Sequence, residues 1–294
     1  MKLVFIPNSP ALQSITIAPC NSEYELVRGS LAGFGGVRYV HMTSQTPNQN
    51  GRTYYFSRAD SRTMSFSFRI YGQTVDDVQS KKLILSQTFS PSLGEGTLRI
   101  YTDQADTVFY DIACVPDGIP SMFQLLDGHN GTVVVATVSF TAANPLFINP
   151  QANSVTFSAY MGGFQLPFRF PFTLGEYGAG LVSYAGSSPT PAIITIPGPF
   201  TNPVLTNTRT GETISITESI SADEQLEINT DPATSYVHLI DQYGNVTNMF
   251  SALSLDSVLW QIYPGDNYIQ YSDSEVLGNI AITVSWYERF EGVF

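Results

Sequence analysis

The chain has 294 residues, of which only 13% are charged, about half the share usual in soluble domains, so its polarity rests mainly on Ser, Thr, Asn and Gln. Thirteen Lys and Arg against 25 Asp and Glu leave a net charge of −12, and with no basic run longer than Lys81-Lys82 this argues against nucleic acid as a direct partner. The length exceeds the common single-domain size, so two domains are expected.

Met1 to Pro7 carries a short apolar run stopped by proline, too short for a signal peptide or a membrane span, which implies synthesis and folding in the cytoplasm. The Asn-x-Thr triplets at Asn130 and Asn245 are then coincidental. Cys20 and Cys114 lie far apart without metal-type spacing, and both are expected as buried thiols rather than a disulfide. Met64, Phe66, Phe68 and Ile70 alternate with polar residues, as do Val134, Ala136, Val138 and Phe140, and both runs read as half-buried strands. His129-Asn130-Gly131-Thr132 reads as a hairpin turn. Between the runs, Thr74-Val75-Asp76-Asp77 is a capped helix start, and the helix is expected over about 74–89. Its core stripe is read as Val75, Val78, Leu85 and Phe89. Leu83 and Ile84 lie off that stripe and are the candidate subunit-interface residues. Ser90-Pro91 ends the helix, Gly94-Glu95-Gly96 turns, and a strand restarts at Thr97.

Residues 144–191 are rich in proline and glycine and read as a connector with an irregular edge, which places a domain boundary near 150: residues 1–150 as a β domain with one helix, 151–294 as a second domain. From Ala192 onward short strands at about 193–197, 213–217, 225–230 and 236–241 are separated by turns such as Thr210-Gly211 and Tyr243-Gly244-Asn245, the pattern of an antiparallel sandwich. Pro264-Gly265-Asp266-Asn267 is a tight turn. The closing strand alternates Ile280, Ile282, Val284 and Trp286 against Ala281, Thr283, Ser285 and Tyr287, and the run on to Val293 leaves no flexible tail, so this segment is expected to be tied down in a core or an interface. Trp260 and Trp286 are read as core residues.

Little in the chain points to chemistry. His41, His129 and His238 have no zinc-type spacing and read as surface or turn residues. No nucleophile elbow or phosphate loop occurs, and Gly33-Phe34-Gly35-Gly36 lacks the helix that phosphate binding would need. Asp223-Glu224, Asp103 with Asp106, and Asp273 with Glu275 are the carboxylate clusters a glycosidase would require, but each sits among turn residues where carboxylates cap amides. No catalytic residue, cofactor or metal is therefore expected. A carbohydrate-binding role is the stronger rival, with Tyr268 and Tyr271 as the weak candidates for stacking on a sugar.

The order of several short segments carries a resemblance. Residues 33–40, Gln49-Asn50-Gly51-Arg52, residues 54–58, the strand through Phe66, the single helix, Gly94-Glu95-Gly96-Thr97-Leu98 and Ala143-Asn144-Pro145-Leu146-Phe147 resemble the N-terminal half of the distal tail proteins (Dit) of long-tailed phages. Gly198-Pro199-Phe200-Thr201-Asn202-Pro203, Asn207-Thr208-Arg209-Thr210-Gly211, Leu226-Glu227-Ile228-Asn229-Thr230, Pro264-Gly265-Asp266-Asn267 and the ending from Tyr287 to Val293 resemble its C-terminal half. The resemblance implies a mainly β chain whose C-terminal sandwich is galectin- or carbohydrate-binding-module-like. It also implies a structural hub: a hexameric ring at the distal end of the virion tail, joined to the tail tube protein on one side and to a tail-tip hub and receptor-binding apparatus on the other. DNA would pass through only as cargo, and no membrane is involved; the acidic balance suits such a passage. The alternative is an adhesion module recognising host cell-wall polysaccharide.

Overall fold

The computed structural model describes residues 1–21, 23–103, 105–124, 131–159, 179–273 and 280–293. The chain is mainly β and divides into two units: Met1–Asn149 together with Phe290–Phe294, and Pro150–Arg289.

The first unit contains strands β1 (Lys2–Ile6), β2 (Ile15–Ile17), β3 (Tyr24–Leu26), β4 (Tyr39–Ser44), β5 (Thr53–Ala59) and β6 (Arg62–Tyr71). Helix α1 (Val75–Thr88) follows, then β7 (Gly96–Tyr101), β8 (Phe109–Pro116), β9 (Ser121–Gln124) and β10 (Val133–Ala142). Two antiparallel sheets result, ordered β2-β1-β7-β8 and β3-β6-β10-β9, joined where β8 also pairs the end of β10. The period of two predicted for β6 and β10 places their apolar residues on one face, and the register sets Met64, Phe66, Phe68 and Ile70 opposite Phe140, Val138, Ala136 and Val134. All eight are buried against the inward residues of β1, β7 and β8. Phe140 lies 5.3 Å from the ring of Phe5, 5.7 Å from Phe66 and 5.8 Å from Phe89, so truncating it to Ala would cost roughly 3–5 kcal/mol.

Helix α1 starts where its cap predicts. The Thr74 hydroxyl accepts from the Asp77 amide at 3.2 Å, and the Asp77 carboxylate accepts from the Gln73 amide at 2.9 Å. That backbone bond, followed by Lys81, holds the Asp77 carboxyl below its usual range. The buried face differs from the expected stripe: Val78, Leu85 and Phe89 are inside, but Val75 is exposed and Ile84 packs against the core. The face is rotated because Thr88 is buried and the Lys81 stem lies along it, its ammonium on the Tyr71 carbonyl at 2.7 Å.

Residues expected as a connector instead hold β11 (Phe147–Ala159) and, further on, β12 (Ala179–Tyr184). Pro150 and the run Gln151-Ala152-Asn153-Ser154 hide the strand, since only Phe147 near its start and Val155 and Phe157 near its end reach a core. The predicted features at His129-Asn130 and the stretch 164–172 fall outside the described residues.

The second unit adds β13 (Ala192–Pro197), β14 (Phe200–Thr201), β15 (Val204–Asn207), β16 (Glu212–Ser215), β17 (Ser219–Ile220) and β18 (Gln225–Asn229). The remaining strands are β19 (Tyr236–Ile240), β20 (Val246–Asn248), β21 (Gly265–Ser272) and β22 (Ile280–Phe290). One antiparallel sheet runs β22-β13-β18-β19-β20 and another β12-β21-β15-β16, with β14-β17 as a small pair. Ile194, Ile228, Val284 and Trp286 from the first meet Val182, Leu205, Ile269 and Tyr271 from the second in one core that also takes in Trp260. The Pro264-Gly265-Asp266-Asn267 turn is closed by the buried Asn267, whose amide donates to the carbonyls of Tyr263 and Gly265 at 2.7 and 3.0 Å and whose Oδ1 accepts from the Tyr263 amide at 3.1 Å.

Candidate subunit-contact surface

In the first unit, β4 and β5 form a two-stranded sheet of their own. Such a ribbon is at best marginally stable in water, and this one gains little from burial. Tyr39, Met42, Tyr54, Tyr55 and Phe56 are all exposed, Tyr55 at 61% and Phe56 at 53%. Met42 stands opposite Phe56 and Val40 opposite Arg58 on one face, while His41 opposite Ser57 marks the other. A register shift between Met42 and Thr43 adds a residue to β5 and sharpens the local twist.

Polar bonds keep the ribbon in shape where packing does not. The Ser57 hydroxyl sits 2.6 Å from His41 Nδ1 and 2.8 Å from the Tyr54 hydroxyl, and Ser44 lies 2.8 Å from the Tyr55 hydroxyl. At the tip, Gln49 Oε1 accepts from the Thr46 amide at 3.1 Å and Gln49 Nε2 donates to Thr53 at 2.9 Å. Asn48 and Gly51 take positive φ there, which Asn and Gly tolerate best.

The base is fixed by Arg62, three residues beyond β5. This buried guanidinium donates to four main-chain carbonyls: Pro145 at 2.7 Å, Gly33 at 2.6 Å, Gly35 at 2.7 Å, and Glu291. It also lies 4.6 Å over the Phe147 ring. Burial lowers its pKa from the ordinary arginine value, yet arginine remains charged in proteins, so those carbonyls supply the solvation water would. Gly33 is required here: its φ is +82° and a Cβ would lie 2.1 Å from the Thr63 carbonyl oxygen. The Gly33-Phe34-Gly35 segment thus presents carbonyls to a cation. Glu291 closes the base from the other side, accepting from the Tyr39 hydroxyl at 2.5 Å, and the Val293 amide donates to the Phe34 carbonyl at 3.1 Å.

The ribbon segment, residues 38–59, holds three of the chain's 13 Lys and Arg residues and none of its 25 Asp and Glu. Tyr, Phe, Met and Arg are the residue types enriched in protein interfaces, and this segment concentrates them.

The residues singled out in the sequence are placed unevenly. Leu83 is 60% exposed on α1, as an interface residue must be, while Ile84 packs partly on the core. Tyr268 is exposed on β21; Tyr271 is only 1% exposed, its hydroxyl bonded to Asp273, so it has no ring face to offer a sugar. Parity explains this, because Tyr271 shares the inward face with Ile269. Cys20, expected inside, is exposed; Cys114 is buried. His41 and His238 lie on β4 and β19, the latter stacked 4.2 Å from Tyr236. Of the carboxylates, Asp103 accepts from the Thr107 hydroxyl and the Thr107 and Val108 amides, Asp106 pairs Lys2 at 2.7 Å, and Glu224 takes the Ser221 amide. The Thr107 hydroxyl and the backbone donors hold the Asp103 carboxyl down at about 2, the behaviour of a turn cap. Glu275 lies outside the described residues. The β4-β5 ribbon was not singled out as an element in the sequence, though Asn50-Gly51 between two runs with Tyr39-Val40 and Tyr54-Tyr55-Phe56 is a legible hairpin signal.

Comparison with known proteins places this geometry in context. Residues 21–168 match the family model described as phage tail protein RIFT-related domain, and residues 185–290 match that of the siphovirus-type tail component, C-terminal domain. No curated protein sequence matches. Among solved structures, the chain is similar to the crystal structure of phage SPP1 Dit, described as a paradigm of the hub adsorption apparatus in phages infecting Gram-positive hosts. The TM-score is 0.64 at 12% identity, covering 98% of this chain and 99% of that one. A chain of the phage P2 baseplate in its activated conformation with Ca aligns at a TM-score of 0.45 and 10% identity, covering 100% of both.

Proposed function

This chain belongs to the siphovirus-type distal tail protein family, and we propose that it is the structural hub subunit that closes with copies of itself into a six-membered ring at the distal end of the virion tail. The observation that carries this reading is the β4-β5 ribbon: five large apolar or aromatic side chains held in water on a ribbon that two strands alone do not stabilise. Seating the ribbon on a neighbouring copy would bury these rings. Its cationic character on an otherwise acidic chain favours the next copy as that neighbour, because opposite potentials steer association and fix register. Leu83 on α1 is a second contact point.

One face of the ring receives the tail tube protein and the other the tail-tip hub and receptor-binding apparatus, with DNA passing through the opening. The net charge of −12 suits a passage that does not hold phosphate. The subunit contributes no catalysis in this reading, which is supported by Asp103 and Glu224 serving as turn caps and Asp106 as the partner of Lys2.

Negative-stain imaging of the purified protein, with light scattering, tests the proposal. Six-lobed annuli and a mass near six times 32.2 kDa are expected. A single-copy mass at tens of micromolar, with no annuli alone or in purified tails, would refute it.

A further inference from the structure

The second unit carries a small cavity on the outer face of its β22-β13-β18 sheet. Register places Asn229, Ile193 and Ser285 in one row across the three strands, on the side facing away from the core. Tyr287 and Arg289 follow Ser285 at intervals of two and point the same way. With Pro191 and Ala152 closing the edge, they line a cavity of about 220 Å³. This is below the roughly 300–1,000 Å³ of pockets for drug-sized ligands, so it suits one small ring.

The lining is chemically divided. Ile193, Pro191, Ala152 and the half-exposed Tyr287 ring supply apolar surface. At one end Arg289 Nη2 meets Asp231 Oδ2 at 3.0 Å, both side chains largely shielded from solvent. Asp231 is held in place from behind: its amide donates to Asn229 Oδ1 at 3.0 Å and its Oδ1 accepts from the Ala233 amide at 3.0 Å, while Asn229 Nδ2 is spent on the Thr234 carbonyl at 2.9 Å. Asn229 is therefore a positioning residue. Among the described residues the Ser285 hydroxyl and the remaining N–H donors of Arg289 have no protein partner, so the cavity pairs an aromatic wall with convergent donors and a fixed carboxylate.

We propose that this cavity binds a single neutral pyranose ring, as one unit of a surface glycan. A sugar has the matching division, with a C–H face that packs on an aromatic ring and an edge of hydroxyls that donate and accept together. The Arg289–Asp231 pair is internally neutral, so it presents no net charge to select an ionic ligand, yet offers an acceptor and donors side by side for adjacent hydroxyls. Hydrolysis is not part of the inference, because glycoside cleavage uses two carboxyl groups and, among the described residues, Asp231 is the one carboxylate lining the cavity. The site lies away from Tyr268, on the other sheet, and stands independently of the ring.

Saturation-transfer NMR on the full-length protein tests it, with methyl α-D-glucopyranoside, methyl β-D-galactopyranoside and N-acetylglucosamine as probes. Transfer to the ring C–H protons of at least one sugar is expected. Tyr287→Ala and the cavity-filling Ser285→Phe should both abolish it, Ser285→Ala should weaken binding about two- to tenfold, the worth of one hydrogen bond, and Tyr268→Ala should leave it unchanged. Circular dichroism and light scattering should show folding and mass unaltered in each variant. No transfer from any of the three sugars to the wild-type protein, or transfer that survives either Tyr287→Ala or Ser285→Phe, overturns the proposal.

Discussion

Arg62 donates a hydrogen bond to the main-chain carbonyl of Glu291, 229 positions later in the chain. The same guanidinium holds the Gly33 and Gly35 carbonyls, so one side chain ties the base of the exposed ribbon to the segment that follows β22. Removing it strips four main-chain carbonyls, that of Pro145 buried, of a donor at once.

Arg62→Ala should destabilise the first unit by about 3–5 kcal/mol, in the range seen when a buried charged partner is deleted. Arg62→Lys should recover only part, because an ammonium cannot reproduce the fork that reaches carbonyls in several directions. Both tryptophans lie in the second unit and Cys114 in the first, so the units can be followed separately. In a denaturant series the midpoint of Cys114 labelling should fall while the tryptophan transition stays in place; equal shifts in both would show that Arg62 does not act locally.

The two thiols should differ sharply in reactivity. Cys114 is buried, and burial pushes its pKa up to about 12, so little thiolate forms at neutral pH. Cys20 is exposed. One equivalent of a thiol reagent should react in the native state and two in denaturant. Prompt native labelling of both would contradict the placement of β8.

Assembly and folding should separate along α1 and the ribbon. Tyr55→Asp with Phe56→Asp should shift the protein towards single copies without changing its circular dichroism. Leu83→Asp should do the same more weakly. Central aromatic contacts are commonly worth 2 kcal/mol or more, about 30-fold in affinity. Ile84→Asp should instead lower stability, because that side chain packs on the core. Light scattering and thermal melts on the same samples distinguish these outcomes, and unchanged mass in the ribbon variant would remove the ribbon from the interface.

Alkaline pH should loosen the base of the ribbon. The bond to Glu291, followed by burial, pushes the Tyr39 hydroxyl up to about 12. Since the folded state holds this proton more tightly than the unfolded chain, with its ordinary value near 10, the contribution is complete below pH about 10 and is lost as pH rises towards 12. Tyr39→Phe should flatten that part of the stability–pH profile, read from denaturant midpoints. An unchanged profile would mean that the Tyr39–Glu291 bond does not form in solution.

Much of this architecture is legible wherever a local rule agrees with the packing. Thr74 starts α1 because its hydroxyl has an orphan amide to satisfy, and Trp286 is buried because parity puts it with Ile282 and Val284. Reading fails where partners are distant. Val75 loses its place to Lys81 and Thr88, whose polar atoms do not betray that their stems are buried. Tyr271 looks like Tyr268 until Ile269 fixes which face is inside. β11 is concealed by Pro150 and a polar run, and Arg62 resembles any surface arginine, since the carbonyls it serves come from Gly33, Pro145 and Glu291. The ribbon's significance lies in what does not cover it, which no local pattern records.

The chain leaves the first unit after Asn149 and rejoins it at Phe290. The segment between is therefore spliced in at two points instead of being hung from one, like a cassette whose entry and exit both belong to the host. Different modules could be exchanged at those two seams while the arginine clasp and the basic ribbon stay as they are, so the inserted unit can diversify without rebuilding its host.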